Sequence, residues 1–186
     1  MAGPKVKRPT GMQSGVVLED YDATPIVGLR VRVLGAAIQR TDDDGETTVE
    51  LPRLRELKAS AAVCRSLVPL KIRGWELRAI RKIMGCTLAD LAKRLDERTA
   101  VETISRWENE TQPMGGYVEK LIRLLVCEEL SKEAPGIAYK ASMIAEMRVF
   151  DPWITDASFE IPYIQFYKVK LKQDGAVFDA WEKQAA

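Results

Sequence analysis

The stretch Thr87–Asn109, TLADLAKRLDERTAVETISRWEN, decides the fold of this 186-residue chain. It predicts two short helices joined by a brief polar connection. The first helix begins at Thr87, whose hydroxyl can accept a hydrogen bond from a backbone N–H group, and Asp90 three residues later completes a capping box. The inward stripe of this helix is apolar and includes one small residue that lets another helix cross closely: Leu88, Leu91, Ala92 and Leu95.

The second helix of the stretch, from about Thr99 to Asn109, has two distinct faces. We expect an apolar face that repeats every three residues to point into the core: Val101, Ile104 and Trp107. Glu102 and Arg106 lie four residues apart and share the opposite face, with Thr103 nearby. The major groove of DNA admits one such helix, and arginine can donate two hydrogen bonds to guanine. The pattern therefore predicts that Glu102, Thr103 and Arg106 contact DNA bases.

Helices are also predicted on both sides of this stretch. The helix before it has an apolar stripe followed by a glycine that can cap its C-terminus: Leu77, Ile80, Met84 and Gly85. The helix after it follows a Gly-Gly pair and has its own stripe: Val118, Leu121, Ile122 and Leu125. Residues 71–130 are therefore predicted to form one helical domain. The first of these helices also carries Arg78, Arg81 and Lys82, which could contact DNA phosphates or could simply be solvated.

The quoted stretch and its surroundings resemble a known family. ETISRWEN followed by QPMGGYVEKLIRLL resembles the recognition helix and last helix of the Xre/Cro helix-turn-helix repressors, over about residues 73–126. YDATPIVGLRVRV and LKIRGWELRAIRKIMGCTLADLAKRL look like the MqsA branch of antitoxin regulators. The resemblance places Glu102 and Arg106 where the family contacts bases. It places Thr87 and Leu88 at the start of the helix that contacts phosphate.

The chain departs from these families in two places. The connection Asp96–Ala100 is longer than the one that usually precedes the recognition helix. The N-terminal domain of the MqsA type carries a four-cysteine zinc site, whereas no cysteine precedes Cys64 in this chain. We therefore expect no metal site and no cofactor. A toxin protein is the further partner that the resemblance implies.

A β-rich segment that ends in a helix is predicted before the helical domain, over residues 15–70. In Val27–Val33 apolar residues alternate with glycine and arginine, which is typical of a strand that buries one face. The stretch Pro52–Pro69 predicts a helix. Residues 1–14 carry three cationic side chains without a following apolar segment, and we expect them to form a flexible leader rather than a signal peptide.

A C-terminal extension over residues 131–186 is predicted to contain a β-hairpin. Tyr163–Lys172 is rich in β-branched and aromatic residues, and Asp174-Gly175 is a strong two-residue turn signal. The strand Ile164–Leu171 is too apolar to stand exposed on a monomer, so dimerisation is expected here. The predicted fold class is thus α+β: a helix-turn-helix bundle as core, with small β-rich N-terminal and C-terminal segments. Only residues 138–147 leave helix and strand both open.

The composition excludes several classes of protein. The formal net charge is only +1, so DNA binding must come from a local arrangement of charge. Histidine is absent, which removes Ser-His and Cys-His dyads and His-ligated metals, and an enzyme is not expected. The three cysteines contain no CxxC pair and suit reduced thiols in the cytoplasm: Cys64, Cys86 and Cys127. No apolar run is long enough to cross a membrane.

The expected partners follow from the geometry of DNA recognition. One recognition helix contacts only a few base pairs, whereas twofold pairing doubles the contact and matches a palindromic operator. Double-stranded DNA and a second copy of the chain are therefore expected partners. The expected function is a homodimeric repressor of its own operon. The alternative is an antitoxin of a type II pair whose main role is to bind a toxin protein.

Overall fold

The computed structural model describes residues 15–96, 98–173 and 175–185. The predicted leader, residues 1–14, lies outside the described residues, and so does Asp174 of the predicted hairpin turn. The strands are β1 (Val16–Asp22), β2 (Val31–Thr41), β3 (Thr47–Glu50), β4 (Ile164–Gln173) and β5 (Ala176–Lys183). The helices are α1 (Thr24–Val27), α2 (Leu54–Leu67), α3 (Gly74–Ile83), α4 (Leu88–Leu95), α5 (Val101–Glu108), α6 (Gly116–Leu130) and α7 (Ala141–Ala145). This mixture fits the predicted α+β class.

Strands from both ends of the described chain form one five-stranded sheet, in the order β1-β2-β4-β5, with β3 also paired to β2. The sequence predicted two separate β-rich segments, but β2 and β4 pair in parallel, from Val31–Ile164 to Leu34–Tyr167. Val31 and Phe166 are both fully buried, as is typical of parallel strands whose faces are covered by helices, and α2 packs against β4. The helices α3 to α6 therefore lie within a long connection between strands of a single sheet.

The predicted strand over Val27–Val33 begins later than its alternation indicated. Val27 is the last residue of the short helix α1, which has proline in its first turn and ends at Gly28 with φ 81°. Proline fits the start of a helix, and glycine adopts this left-handed conformation without the penalty of a Cβ. The apolar members of the alternation are nevertheless all buried: Val27, Leu29, Val31 and Val33.

The apolar strand β4 is covered by its own chain. It pairs antiparallel with β5, from Phe166–Lys183 to Gln173–Ala176, and lies between β5 and β2. Ile164 is only 5% exposed. The reason for placing dimerisation at this hairpin was an exposed apolar strand. Ile164 and Phe166 are buried within the monomer, whereas Tyr167, Val169 and Leu171 are half-buried, so a dimer contact at the hairpin stays a prediction.

The helix α2 connects the sheet to the helical domain. Its residues Ala59–Ser66 are all buried, and it packs against α6 and against β4 and β5. At its C-terminal end lies Arg65, whose side chain is 2% exposed. Arg65 donates hydrogen bonds to the carbonyl oxygens of Leu70 (3.0 Å) and Lys71 (2.7 Å) and to Glu76 Oε2 (2.8 Å). It thereby ties the end of α2 to the start of α3.

A second buried arginine holds the same connection from the other side. Arg123 of α6 donates to the carbonyl oxygens of Ser66 (2.8 Å), Val68 (2.7 Å) and Leu70 (2.6 Å). It also pairs with Glu119 at 2.7 Å, and both side chains are fully buried. Burial lowers the pKa of the Arg123 guanidinium, while the contact with Glu119 opposes that shift. The segment between α2 and α3 is thus fixed by two buried guanidinium groups.

Replacing Gly74 with alanine is expected to destabilise the helical domain. A Cβ at Gly74 would lie 2.5 Å from the carbonyl oxygen of Glu108 and 2.6 Å from that of Trp107. The start of α3 would have to move away from the end of α5, at a cost of roughly 1–3 kcal/mol in the free energy of unfolding. Urea denaturation measures this cost. The control is Gly116→Ala, because a Cβ there meets no atom within 4 Å; equal stability of the two variants would contradict the close approach.

Candidate nucleic-acid interface

The region α3–α6 is built from well-capped short helices. The C-terminus of α3 is followed by Gly85 at φ 69°. The predicted capping box at the start of α4 is confirmed, since Thr87 Oγ1 accepts a hydrogen bond from the Asp90 N–H (3.1 Å) and Asp90 Oδ2 accepts from the Thr87 N–H (2.9 Å). These local bonds satisfy backbone donors that the first turn of a helix leaves free. They determine where α4 begins relative to α3.

The helix α5 has the predicted division into two faces, with one exception. Ile104 is fully buried and Trp107 is 8% exposed, while Glu102 and Arg106 lie exposed on the opposite face. Val101, predicted as core, is 38% exposed. The buried stripe is completed at the other end of the helix by Glu108, so Val101 falls at its margin in the first turn. Thr103 is half-buried beside the exposed face.

The predicted phosphate contacts on α3 are partly used inside the protein. Arg81 donates to both carboxylate oxygens of Glu108, at 3.0 Å for Oε2, and to the Cys86 carbonyl oxygen at 2.9 Å. These bonds with Glu108 raise the pKa of Arg81, whose side chain is 11% exposed. Arg81 is therefore corrected from a phosphate contact to the residue that holds α5 against α3, because its donors already face protein acceptors.

Arg78 and Lys82 remain accessible on the outer side of α3. Arg78 also bonds Glu108, at 3.2 Å, and donates to Asn109 Oδ1 at 2.6 Å, but nearly half of its side chain is exposed. Lys82 is exposed, and its side chain has no hydrogen-bond or ion-pair partner in the described part of the chain. Of the three predicted cations, Arg78 and Lys82 therefore have side chains exposed enough to contact a phosphate.

Arg98, in the long connection before α5, was not singled out by the sequence reasoning. The Arg98 N–H donates to Asp96 Oδ1 (3.1 Å), and the Thr99 N–H donates to the Asp96 carbonyl oxygen (2.9 Å), which makes this part of the connection a hydrogen-bonded turn. The Arg98 side chain is exposed. The signal that could have found it was the unusual length of the connection, which places an additional cation beside the start of α5.

A carboxylate lies where α4 would meet a phosphate. Thr87 is exposed and Leu88 is half-buried, but Asp90 Oδ2 accepts from both the N–H and the hydroxyl of Thr87. These hydrogen bonds lower the pKa of Asp90, so the carboxylate stays charged. Its negative charge stabilises the helix N-terminus but repels a DNA phosphate approaching Thr87 and Leu88.

Replacing Asp90 with asparagine is expected to strengthen binding to every DNA duplex, and more so at low salt, because one like charge is removed from the phosphate side. Asn can still accept from the Thr87 N–H, so the helix start is retained. The measurement is fluorescence anisotropy on operator and random duplexes. Asp156→Asn is the matched control, since Asp156 accepts from the N–H and hydroxyl of Ser158 in the same way. An equal gain in that variant would exclude the local explanation.

The remaining side chains do not assemble another kind of site in the described residues. No three Cys, Asp or Glu side chains there lie together in a way that could hold a metal ion. Burial raises the pKa of Cys64 to about 12 and that of Cys127 to about 11, so both thiols stay protonated near neutral pH. None of the helices in this part of the chain has the length and apolar character needed to cross a bilayer.

Comparison with known proteins singles out the same region. Residues 77–128 match the family model described as helix-turn-helix, from α3 to near the end of α6. The Xre-like helix-turn-helix predicted from the sequence is thereby confirmed, and this family is one of DNA-binding transcription regulators. No curated protein and no solved structure matches the chain.

Proposed function

We propose that this protein is a sequence-specific DNA-binding regulator that acts as a homodimeric repressor of its own operon in the cytoplasm. The observation that carries the proposal is the helix α5, in which Glu102 and Arg106 are exposed opposite the buried Ile104 and Trp107. This helix lies inside the region that matches the helix-turn-helix family. An eight-residue helix with a polar outer face fits a major groove about 12 Å wide.

In the proposed complex, Arg106 donates to guanine O6 and N7, and Glu102 accepts from a cytosine amino group. Thr103 contacts the base edge beside them. The start of α4 at Thr87 and Leu88, with Arg78 and Lys82 on α3, contacts phosphates and positions α5 in the groove. Arg81 does not contact DNA itself. It binds Glu108, the last residue of α5, and so sets the angle of the helix that contacts the bases.

The test of the proposal is binding to the DNA immediately upstream of the gene. A purified chain should bind that duplex, or sequences selected from a random pool, at least about a thousandfold more tightly than unrelated DNA. The selected sequences should contain two related half-sites whose centres lie about one helical turn apart. A reporter under the same promoter should be repressed by the wild-type chain. Equal affinity for upstream and unrelated duplexes would exclude sequence-specific regulation.

We place the dimer contact at the strand β1. This strand pairs with β2 and has no second neighbour in the described residues, and Val16 (65% exposed) and Val17 (55% exposed) stand out on it. An edge strand with free N–H and C=O groups is a surface onto which a second strand can pair. The exposed valines place the proposed pairing in the N-terminal half of β1, before the register shift between Leu18 and Asp20.

Replacing Val16 and Val17 together with lysine is expected to convert the dimer to a monomer, because paired strands would bring like charges together. Size-exclusion chromatography with light scattering measures the mass. Val177→Lys is the matched control, since Val177 is 62% exposed on β5, at the opposite edge of the sheet. A dimer that persists in the double variant, or one that dissociates with the control, would move the contact away from β1.

Binding of a toxin protein at the same edge is the second candidate function. A free strand edge favours it as well, since peptide segments of partner proteins add to sheets in this way. The two candidates differ in the composition of the complex. A chain that is monomeric alone, and that forms a one-to-one complex with the product of a short neighbouring reading frame through β1, would favour the antitoxin function over the homodimeric repressor.

A further inference from the structure

A groove of about 420 Å³ lies between α1 and the outer face of α3, outside the surface assigned to base contacts. Much of its lining is apolar: Pro25, Ile26, Val27, Ala79 and Ile83, together with the indole of Trp75. Trp75 is 43% exposed, although tryptophan is among the largest apolar side chains of the protein. At the bottom of the groove α1 and α3 lie close together, since a Cβ on Gly28 would lie 3.2 Å from the Ala79 Cβ.

The charged side chains of the groove all have one sign. Lys58 of α2 and Arg78 and Lys82 of α3 line it, and none of the residues that line it is an aspartate or a glutamate. Arg78 is partly neutralised by Glu108. The side chains of Lys58 and Lys82 have neither a hydrogen-bond nor an ion-pair partner among the described residues, and Lys58 is half-buried. Two uncompensated positive charges therefore border an apolar surface that includes an accessible indole ring.

We propose that this groove binds a small anionic molecule with a planar apolar body. The ring system of the ligand packs against Trp75, where an offset or edge contact with the indole is favourable. Its carboxylate, sulfonate or phosphate group accepts hydrogen bonds from Lys58 and Lys82, which supply the missing counter-charge. The volume lies within the range of small-molecule sites, which combine apolar walls with a few polar groups.

The apolar lining distinguishes such a ligand from a DNA phosphate. A phosphodiester needs cationic or N–H donors, which Lys82 and Arg78 could supply alone. It makes no use of Trp75, Ile26 and Ile83. Lys58 also lies on α2, outside the helix-turn-helix match at residues 77–128. The site is thus assembled from two parts of the chain, and binding to it does not depend on whether α5 contacts DNA.

The probe is 8-anilinonaphthalene-1-sulfonate, which is anionic and aromatic and becomes fluorescent on leaving water. We expect saturable binding to the folded wild-type chain, about tenfold weaker in Lys58→Gln, the effect of losing one charge-assisted hydrogen bond. Trp75→Phe should reduce the change in protein fluorescence that accompanies binding. The double variant Lys93→Gln, Lys140→Gln, which removes two exposed lysines outside the groove, should bind the probe like the wild type.

The uncharged analogue N-phenyl-1-naphthylamine tests the requirement for an anion. It should bind at least about tenfold more weakly than the sulfonate if the lysines supply the counter-charge. Equal binding of both dyes, or wild-type affinity for the sulfonate in Lys58→Gln, would overturn the proposal. It would also be overturned if random duplex DNA displaced the sulfonate and Lys58→Gln weakened both ligands equally, since the groove would then be a phosphate contact.

Discussion

Replacing Arg123 with methionine is expected to lower the free energy of unfolding by roughly 3–5 kcal/mol, the loss typical of one partner removed from a buried ion pair. The side chain of Arg123 is fully buried with Glu119. Methionine fills a similar volume but donates no hydrogen bond. The carbonyl oxygens of Ser66, Val68 and Leu70 would each lose the donor that Arg123 supplies, and of these Leu70 would keep a hydrogen bond from Arg65.

The measurement is equilibrium denaturation in urea, with Arg94→Met as matched control. Arg94 also pairs with a glutamate of α6, Glu129, but both side chains are about a third exposed, and such pairs contribute up to about 1 kcal/mol. The double variant Arg123→Met, Glu119→Gln should recover part of the loss, because it removes a buried carboxylate that Lys71, 3.0 Å away and partly exposed, would be left to balance. If Arg123→Met were no more destabilising than Arg94→Met, the buried guanidinium would not hold the connection between α2 and α3.

Replacing Arg106 with alanine is expected to weaken binding to the operator by roughly 1–3 kcal/mol, and to leave binding to random DNA almost unchanged. The physical reason is that base contacts specify the DNA sequence, whereas phosphate contacts only position the protein. Arg106 is exposed on the face of α5 opposite the buried Ile104 and Trp107. It has no hydrogen bond or ion pair through its side chain in the described structure, so its guanidinium is free to meet a base.

Fluorescence anisotropy on the selected operator and on a random duplex measures the ratio of the two affinities. Lys82→Ala should instead weaken binding to both duplexes and reduce the dependence on salt, as expected for a phosphate contact. Arg94→Ala is the control for the loss of an exposed arginine outside the α5 surface. An unchanged ratio in Arg106→Ala would show that α5 is not the helix that contacts the bases.

The local architecture of the helix-turn-helix region could be predicted because its causes lie within a few residues. Thr87 and Asp90 are three positions apart and form the predicted capping box. The exposed Glu102 and Arg106 and the buried Ile104 and Trp107 follow from the helical period. The periodicity was wrong at Val101, which is exposed. The burial of Val101 depends on which other parts of the chain pack against the first turn of α5, and the period of one helix does not contain that information.

Side-chain burial on α6 shows the same limit. The stripe Val118, Leu121, Ile122 and Leu125 was predicted to face inward, yet the fully buried positions include the charged pair Glu119 and Arg123. Periodicity assigns apolar residues to the core, but a charge is buried when its partners come from elsewhere in the fold. For Arg123 the backbone partners lie more than fifty residues away, at the end of α2 and in the connection that follows it.

By itself, the sequence determined the helix-turn-helix, its caps and the side chains that α5 presents, since each depends on hydrogen bonds and spacing within one or two turns. Only the tertiary structure decided that β2 and β4 lie side by side, that Arg81 faces Glu108, and that the apolar hairpin strand lies between β2 and β5. These features join residues far apart in sequence. Their free energy comes from burying apolar surface and pairing charges across that separation, and no local pattern records which distant partner will be met.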